Sequence, residues 1–148
     1  APGSCKVEFR SGEKSLLTTP VELRAQQDYA VALLGEGASR KAEVFQPTWE
    51  KGQAHVFVEN ASPETGPVEV LLGGKPIGGS KSIAPWTRAA GTTEPGHPLI
   101  EIKSGDKTIV SKEETLRGDH CYYAILAGKP AGTPTVQLAW VAFSHPKA

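Results

Sequence analysis

A chain of 148 residues with 16 glycines, 12 prolines and no methionine holds enough material for one ordinary hydrophobic core or two small ones. Lysine plus arginine balance aspartate plus glutamate at 16 each, so no broad field gathers nucleic acid or an anionic membrane, and no nucleic-acid partner is expected. The longest apolar runs, residues 29–34 and 122–127, fall far short of the roughly 20 residues that cross a bilayer as a helix.

The sequence opens at Ala1 with neither an initiator methionine nor a charged, apolar leader. That is how a chain looks after removal of a signal peptide or a longer precursor, or when it is a cloned fragment. Cys5 and Cys121 suit either one disulfide or two free thiols, and an oxidising compartment favours the former. Such a bridge closes a loop long enough for a chain-entropy gain on the order of 4 to 5 kcal/mol.

In chain order, the first signal is alternation at Val7 and Phe9, a turn at Ser11-Gly12-Glu13-Lys14, and an aliphatic run resuming at Leu16. This predicts a β-hairpin, with the glycine supplying positive φ at the tip. A polar turn from Arg24 to Asp28 leads into an apolar strand from Tyr29 to Leu34. The segment Gln46 to Gln53 reads as a linker. Strand signals follow at His55 to Asn60 and Val68 to Leu72, separated by the turn from Ala61 to Pro67. A loop rich in Gly, Ser and Thr from Gly78 to Glu94 carries Trp86, with a short strand expected near Lys81 to Ile83.

The hairpin then returns. Shifted by 93 positions, residues 7–37 align without a gap on residues 100–130, with nine identities in 31 pairs, among them Gly12/Gly105, Leu23/Leu116, Arg24/Arg117, Tyr29/Tyr122 and Leu33/Leu126. Pro2-Gly3 falls on Pro95-Gly96. One supersecondary unit is used twice. A last strand is expected from Val136 to Phe143, and proline and glycine interrupt every window long enough for a helix.

The expected fold is all-β, with tandem small antiparallel β-sandwich modules. Residues 1–48 form the first module and residues 49–148 the second. The second copy follows the strands of residues 54–83, whereas nothing precedes the first, and about 50 residues are too few to hold a core alone. The first module is therefore expected to be truncated at its N-terminus, or to complete itself on the second.

Candidate chemistry is sparse. Ser11-x-x-Lys14 and Ser104-x-x-Lys107 match a serine-lysine nucleophile pattern, which needs the pair one helical turn apart; here each spans a glycine hairpin. Asp119 and His120 are acid and base candidates of a triad, but no nucleophile block accompanies them and the first copy has Gln26-Gln27 there. His55, His97, His120 and His145 lack ligand spacing, so no metal and no cofactor is expected. Asn60-Ala-Ser62 fits a glycosylation acceptor, and more simply a turn before Pro63. Trp140 belongs to an alternating strand and to the core. Trp86 and Trp49 have no strand to bury them, so together with Arg88 they are the candidate surface for a polysaccharide or a protein partner; the structural alternative is packing at a seam between modules. Tyr29 and Tyr122, and Arg24 and Arg117, are paired by the repeat and read as structural.

The segment GDHCYY (residues 118–123), with EVFQPTWEKGQAHVFVENAS before it and VQLAWVAFSHP after it, resembles the AlgF-type proteins of bacterial exopolysaccharide O-acetylation. The resemblance covers nearly the whole chain at low identity, and none of its elements is catalytic. It implies a periplasmic, non-enzymatic accessory protein of two β-sandwich modules, serving acetylation of alginate or a similar exopolysaccharide beside membrane and SGNH-type acetyltransferases. Against it stand the short first module and the two cysteines. The alternative from a different class is a structural or adhesive β module of a bacterial cell-surface protein, to which the Val56 to Pro63 strand has a weaker resemblance.

Overall fold

The computed structural model describes residues 3–131 and 136–145; Pro2 and Pro146, which belong to the sequence patterns above, lie outside the described residues. The chain is all-β and divides into two compact units, residues 1–47 and 48–148.

The first unit is two hairpins. β1 (Gly3–Ser11) pairs antiparallel with β2 (Lys14–Leu23), and β3 (Ala30–Leu34) pairs antiparallel with β4 (Lys41–Phe45). Gly12 holds φ at 59° to close the first hairpin, and Ser11 and Lys14 face each other across the turn rather than along a helix. Val21, Leu34 and Phe45 are buried in it, as is Pro47.

The second unit is a two-sheet sandwich. Its strands are β5 (Ala54–Asn60), β6 (Glu69–Leu72), β7 (Lys75–Pro76), β8 (Arg88–Thr93), β9 (Leu99–Ser104), β10 (Lys107–Glu113), β11 (His120–Ala127) and β12 (Gln137–Ser144). One sheet has the order β10-β9-β6-β7 and the other β12-β11-β5-β8. Every pairing is antiparallel except that of β11 with β5, which is parallel. Period-two alternation aims one set of side chains between the sheets: Val70, Leu72, Ile100 and Ile102 from the first, and Val56, Val58, Ala124 and Leu126 from the second, all in one core with Trp140 packed on its margin. β11 is buried on both faces, since Cys121 and Tyr123 on the other side are as inaccessible as Ala124. This explains why its sequence reads as a continuous apolar run.

Positions 93 residues apart carry matching local geometry. The ladder between β1 and β2 slips at Leu16, and that between β9 and β10 slips at Ile109. Gly3 lies opposite Leu23 as Gly96 does Leu116. Left-handed backbone recurs at Gln26 (58°) and Asp119 (56°), and positive φ at Gly12 (59°) and Gly105 (57°). The Tyr29 hydroxyl accepts the Arg24 backbone N–H at 3.1 Å, and the Tyr122 hydroxyl accepts that of Arg117 at 2.8 Å. The paired arginines thus serve the corner through their backbones.

Three expectations need amending. The span Thr48 to Gln53 is fastened to the second unit rather than left as a linker: Thr48 Oγ1 meets His55 Nδ1 at 2.8 Å, and Gln53 O accepts the Asp119 N–H at 2.9 Å. Near Lys81 to Ile83 there is a single bridge, Val68 to Ile83, in place of a strand. The strand of that region is β8, further on, which forms because β5 offers it a partner from Ala54 to Glu59.

Candidate binding surface

Where β5 ends, the buried Asn60 organises two turns. Its Nδ2 donates to Gly66 O at 2.9 Å and to Ile83 O at 3.1 Å, while its Oδ1 accepts the Ser62 N–H at 3.2 Å. Ser62 Oγ donates to Gly128 O at 2.7 Å and Ser104 Oγ to Thr65 O at 2.9 Å. With both amide hydrogens committed and no exposed surface, Asn60 is a turn residue in the folded chain and not an acceptor for a glycan.

Trp86 stands on this platform. Its backbone N–H donates to Asn60 O at 2.7 Å, and the next residue returns the grip: Thr87 O accepts the Asn60 N–H at 3.0 Å, while Thr87 Oγ1 donates to Ala84 O at 2.7 Å. These bonds hold Trp86 in the left-handed region with φ at 63°, a conformation that costs a residue with a Cβ roughly 1–2 kcal/mol. The indole is half-buried rather than fully exposed. Two residues on, Arg88 is exposed and opens β8 directly opposite Glu59. Glu59 is itself buried, and its Oε2 accepts the Tyr123 hydroxyl at 2.6 Å. Cross-strand neighbours on one face lie close enough for opposite charges to attract. The sequence carried one mark of this acid, a glutamate inside the apolar run of β5.

Trp49 belongs to the other end. Its ring meets His145 edge-on at 5.3 Å, and the His145 N–H donates to Asp119 O at 2.9 Å beside the start of β11, which pairs with Ala54. β5 has seven residues between these ends, about 20 Å of extended chain. The structure therefore keeps Trp86 and Arg88 together and sets Trp49, also half-buried, apart from them.

The remaining candidates are occupied by the fold. Asp119 Oδ1 accepts the Gly52 N–H at 2.8 Å, clamping the turn that carries it. His120 Nδ1 faces Gly118 O at 2.8 Å; a carbonyl only accepts, so Nδ1 carries the proton and gives it to the backbone and not to Asp119, the acid the sequence offered for a triad. Among the described residues no group of His, Cys, Asp and Glu is placed to hold a metal ion. Cys5, half-buried on β1, and Cys121, buried on β11, are free thiols in this structure. Burial pushes the Cys121 thiol above its ordinary 9.0, with the Thr48 backbone N–H working weakly the other way. No helix among the described residues is long and apolar enough to cross a membrane.

The class this defines is an all-β chain of small sheet units that presents a strained aromatic corner. No family model and no curated protein matches the sequence. Among solved structures, the chain is similar to the C-terminal domain of AlgF from P. aeruginosa, with 18% identity and a TM-score of 0.45 over 63% of this chain and 100% of that one.

Proposed function

We propose that this chain is a non-enzymatic accessory protein of exopolysaccharide O-acetylation, acting in the periplasm and binding the polysaccharide, an acetyltransferase, or both. The observation that carries the reading is the Trp86 corner. A bulky indole is held in left-handed backbone, half-exposed, two residues from an exposed arginine. Strain of this kind concentrates where a side chain is being presented. An indole face stacks on the C–H faces of a sugar ring while a guanidinium donates to hydroxyl or carboxylate oxygens.

The residues that resemble AlgF-type proteins support a scaffold role, because Asn60, Asp119 and Tyr122 are committed to turn and corner bonds. Ser62 and Ser104, hydroxyls that an acetyl-transfer reaction would want as nucleophiles, donate to backbone carbonyls. Trp49 is a second, separate contact at the far end of the same strand.

The test is the acetyl content and yield of exopolysaccharide from a strain lacking the gene, complemented with the wild-type chain or with Trp86→Ala. Polymer made without acetyl groups, restored by the wild type and only to about a tenth by Trp86→Ala, is the expected result. Unchanged acetyl content in the deletion strain refutes the role, and full restoration by Trp86→Ala refutes the surface.

A further inference from the structure

The two open sheets of the second unit end in β10, β7, β8 and β12, and the first three carry a device against the addition of another strand. β10 has Lys107, Lys112 and Glu113 and a slip in its register at Ile109. β7 is two residues long and includes Pro76. β8 opens with Arg88 and has the Ile77–Gly79 turn packed against it at Gly91. β12 has none of these. Its sequence, Gln-Leu-Ala-Trp-Val-Ala-Phe-Ser, holds no charge and no proline, and it keeps unbroken register with β11 from Gln137 opposite Ala127 to Ser144 opposite His120.

The first copy of the repeat holds a guarded form of the same strand. β4 pairs with β3 as β12 pairs with β11: Lys41 lies opposite Leu34, and Gln137 lies opposite Ala127, which is 93 positions beyond Leu34. β4 carries Lys41 and Glu43. The described residues that follow it in the chain add no strand to its outer edge. The repeat's last strand thus stands outermost in both copies, and only in the second is it uncharged.

Burial falls away across this edge. Tyr123 is 1% exposed and Ala124 fully buried, while Val141 and Trp140, opposite them on β12, are 44% exposed and half-buried respectively. Opposed residues of an antiparallel pair share a face, so β12 extends its sheet against its own copy only in registers that keep Leu138 and Trp140 on the core side and Ala139, Val141 and Phe143 on the other. Centred on Val141, that pairing sets Val141 against Val141, Trp140 against Ala142, Ala139 against Phe143 and Leu138 against Ser144. Each aromatic side chain meets an alanine, the exposed valine meets its twin, and no charge is covered. Centred on Trp140 instead, the two bulkiest side chains meet each other.

We propose that β12 is the contact between two copies of this chain, joined antiparallel edge to edge about Val141 so that the β12-β11-β5-β8 sheets of the two copies run on as one. The occupant is a second copy because the order of large and small side chains along β12 complements its own reverse. One pair of strands is a small interface, which puts the dimer Kd on the order of 0.1 mM. The pairing requires nothing of the acetylation reading.

The test is sedimentation of the whole chain. The wild type is expected to be mostly monomer at about 10 μM and mostly dimer at about 1 mM. Val141→Lys and Val141→Glu, changes at an exposed position that leave the circular dichroism spectrum unaltered, are each expected to stay monomeric at about 1 mM through like-charge repulsion. An equimolar mixture of the two is expected to dimerise, since at a self-paired position opposite charges then face each other. In the wild type, and so independently of how the variants fold, the β12 amides directed away from β11 are expected to exchange about fourfold more slowly at the higher concentration, with those of β10 unchanged. A wild type that stays monomeric to about 1 mM, a variant that dimerises alone, a mixture that does not dimerise, or β12 amides without protection overturns the proposal.

Discussion

Replacing Leu126 by alanine, and separately its counterpart Leu33, measures how complete each unit is. Leu126 has no exposed surface and sits in the sandwich core. Truncation removes three carbons, worth about 0.8 kcal/mol each in transfer, and leaves a cavity that adds about 1 to 2 kcal/mol, for a cost near 4 kcal/mol. Leu33 is half-buried on β3, which pairs with β4 alone among the described residues; roughly half the transfer applies, and a cavity open to water adds little, for a cost near 1 kcal/mol. Urea titration followed by residue-resolved NMR reads both units at once. With a slope of about 1–3 kcal/mol per molar, Leu126→Ala lowers the midpoint of second-unit signals by about 1.3–4 M, and Leu33→Ala lowers that of first-unit signals by about 0.3–1 M. Equal costs at the two positions refute the argument that Leu33 is less enclosed than Leu126.

Three further outcomes follow from single residues. Asn60→Ala takes its partner from Gly66 O and from the Ser62 N–H and leaves Ile83 O with the Val68 N–H alone, a loss of about 2–4 kcal/mol seen as a lower urea midpoint; a change under 1 kcal/mol contradicts the turn assignment. Gly91→Ala places a Cβ 2.7 Å from Gly78 N and 3.1 Å from Ile77 Cγ1, so β8 and the turn over it must part, at about 1–3 kcal/mol and several degrees of Tm; an unchanged melting temperature contradicts that packing. Cys121 titrates above 9.0 when folded, so the native state holds its proton after the unfolded chain has lost it. Its contribution to stability is complete below pH 9.0 and declines as pH rises from there through the raised folded value. The wild type is therefore expected to lose stability relative to Cys121→Ala across that alkaline window. The native chain should also label Cys5 before Cys121, with two thiols titrated in denaturant; parallel alkaline curves, or no titratable thiol, count against this placement.

Most strands were legible because their signals are local. The glycine tips at Gly12 and Gly105, the alternation of β5 and β12, and the apolar run of β11 each reside in consecutive residues, and strand formation needs little more than that pattern and a turn. β8 was not legible. Arg-Ala-Ala-Gly-Thr-Thr has no large alternating side chains, and it is a strand because β5 presents a free edge to it while Gly91 lets a turn pack against its backbone. β4, a short Lys-Ala-Glu-Val-Phe segment, was overlooked for the same reason. Of the candidate surface, Trp86, Arg88 and Trp49 stand out in the sequence as aromatics and a cation in poorly patterned segments, but proximity belongs to the fold: Trp86 and Arg88 lie at one end of β5 and Trp49 at the other.

The sequence by itself determined the all-β class and the hairpin used twice, since alternation, glycine turns and internal similarity are properties of neighbouring residues. Only the tertiary structure decided that Asn60, Asp119 and Tyr122 are fastenings for the chain, that Trp86 is held in left-handed backbone, and that β11 takes β5 as a parallel neighbour. Each of these depends on which distant backbone groups meet, and a hydrogen bond between residues far apart in the chain leaves no mark on the spacing of either one.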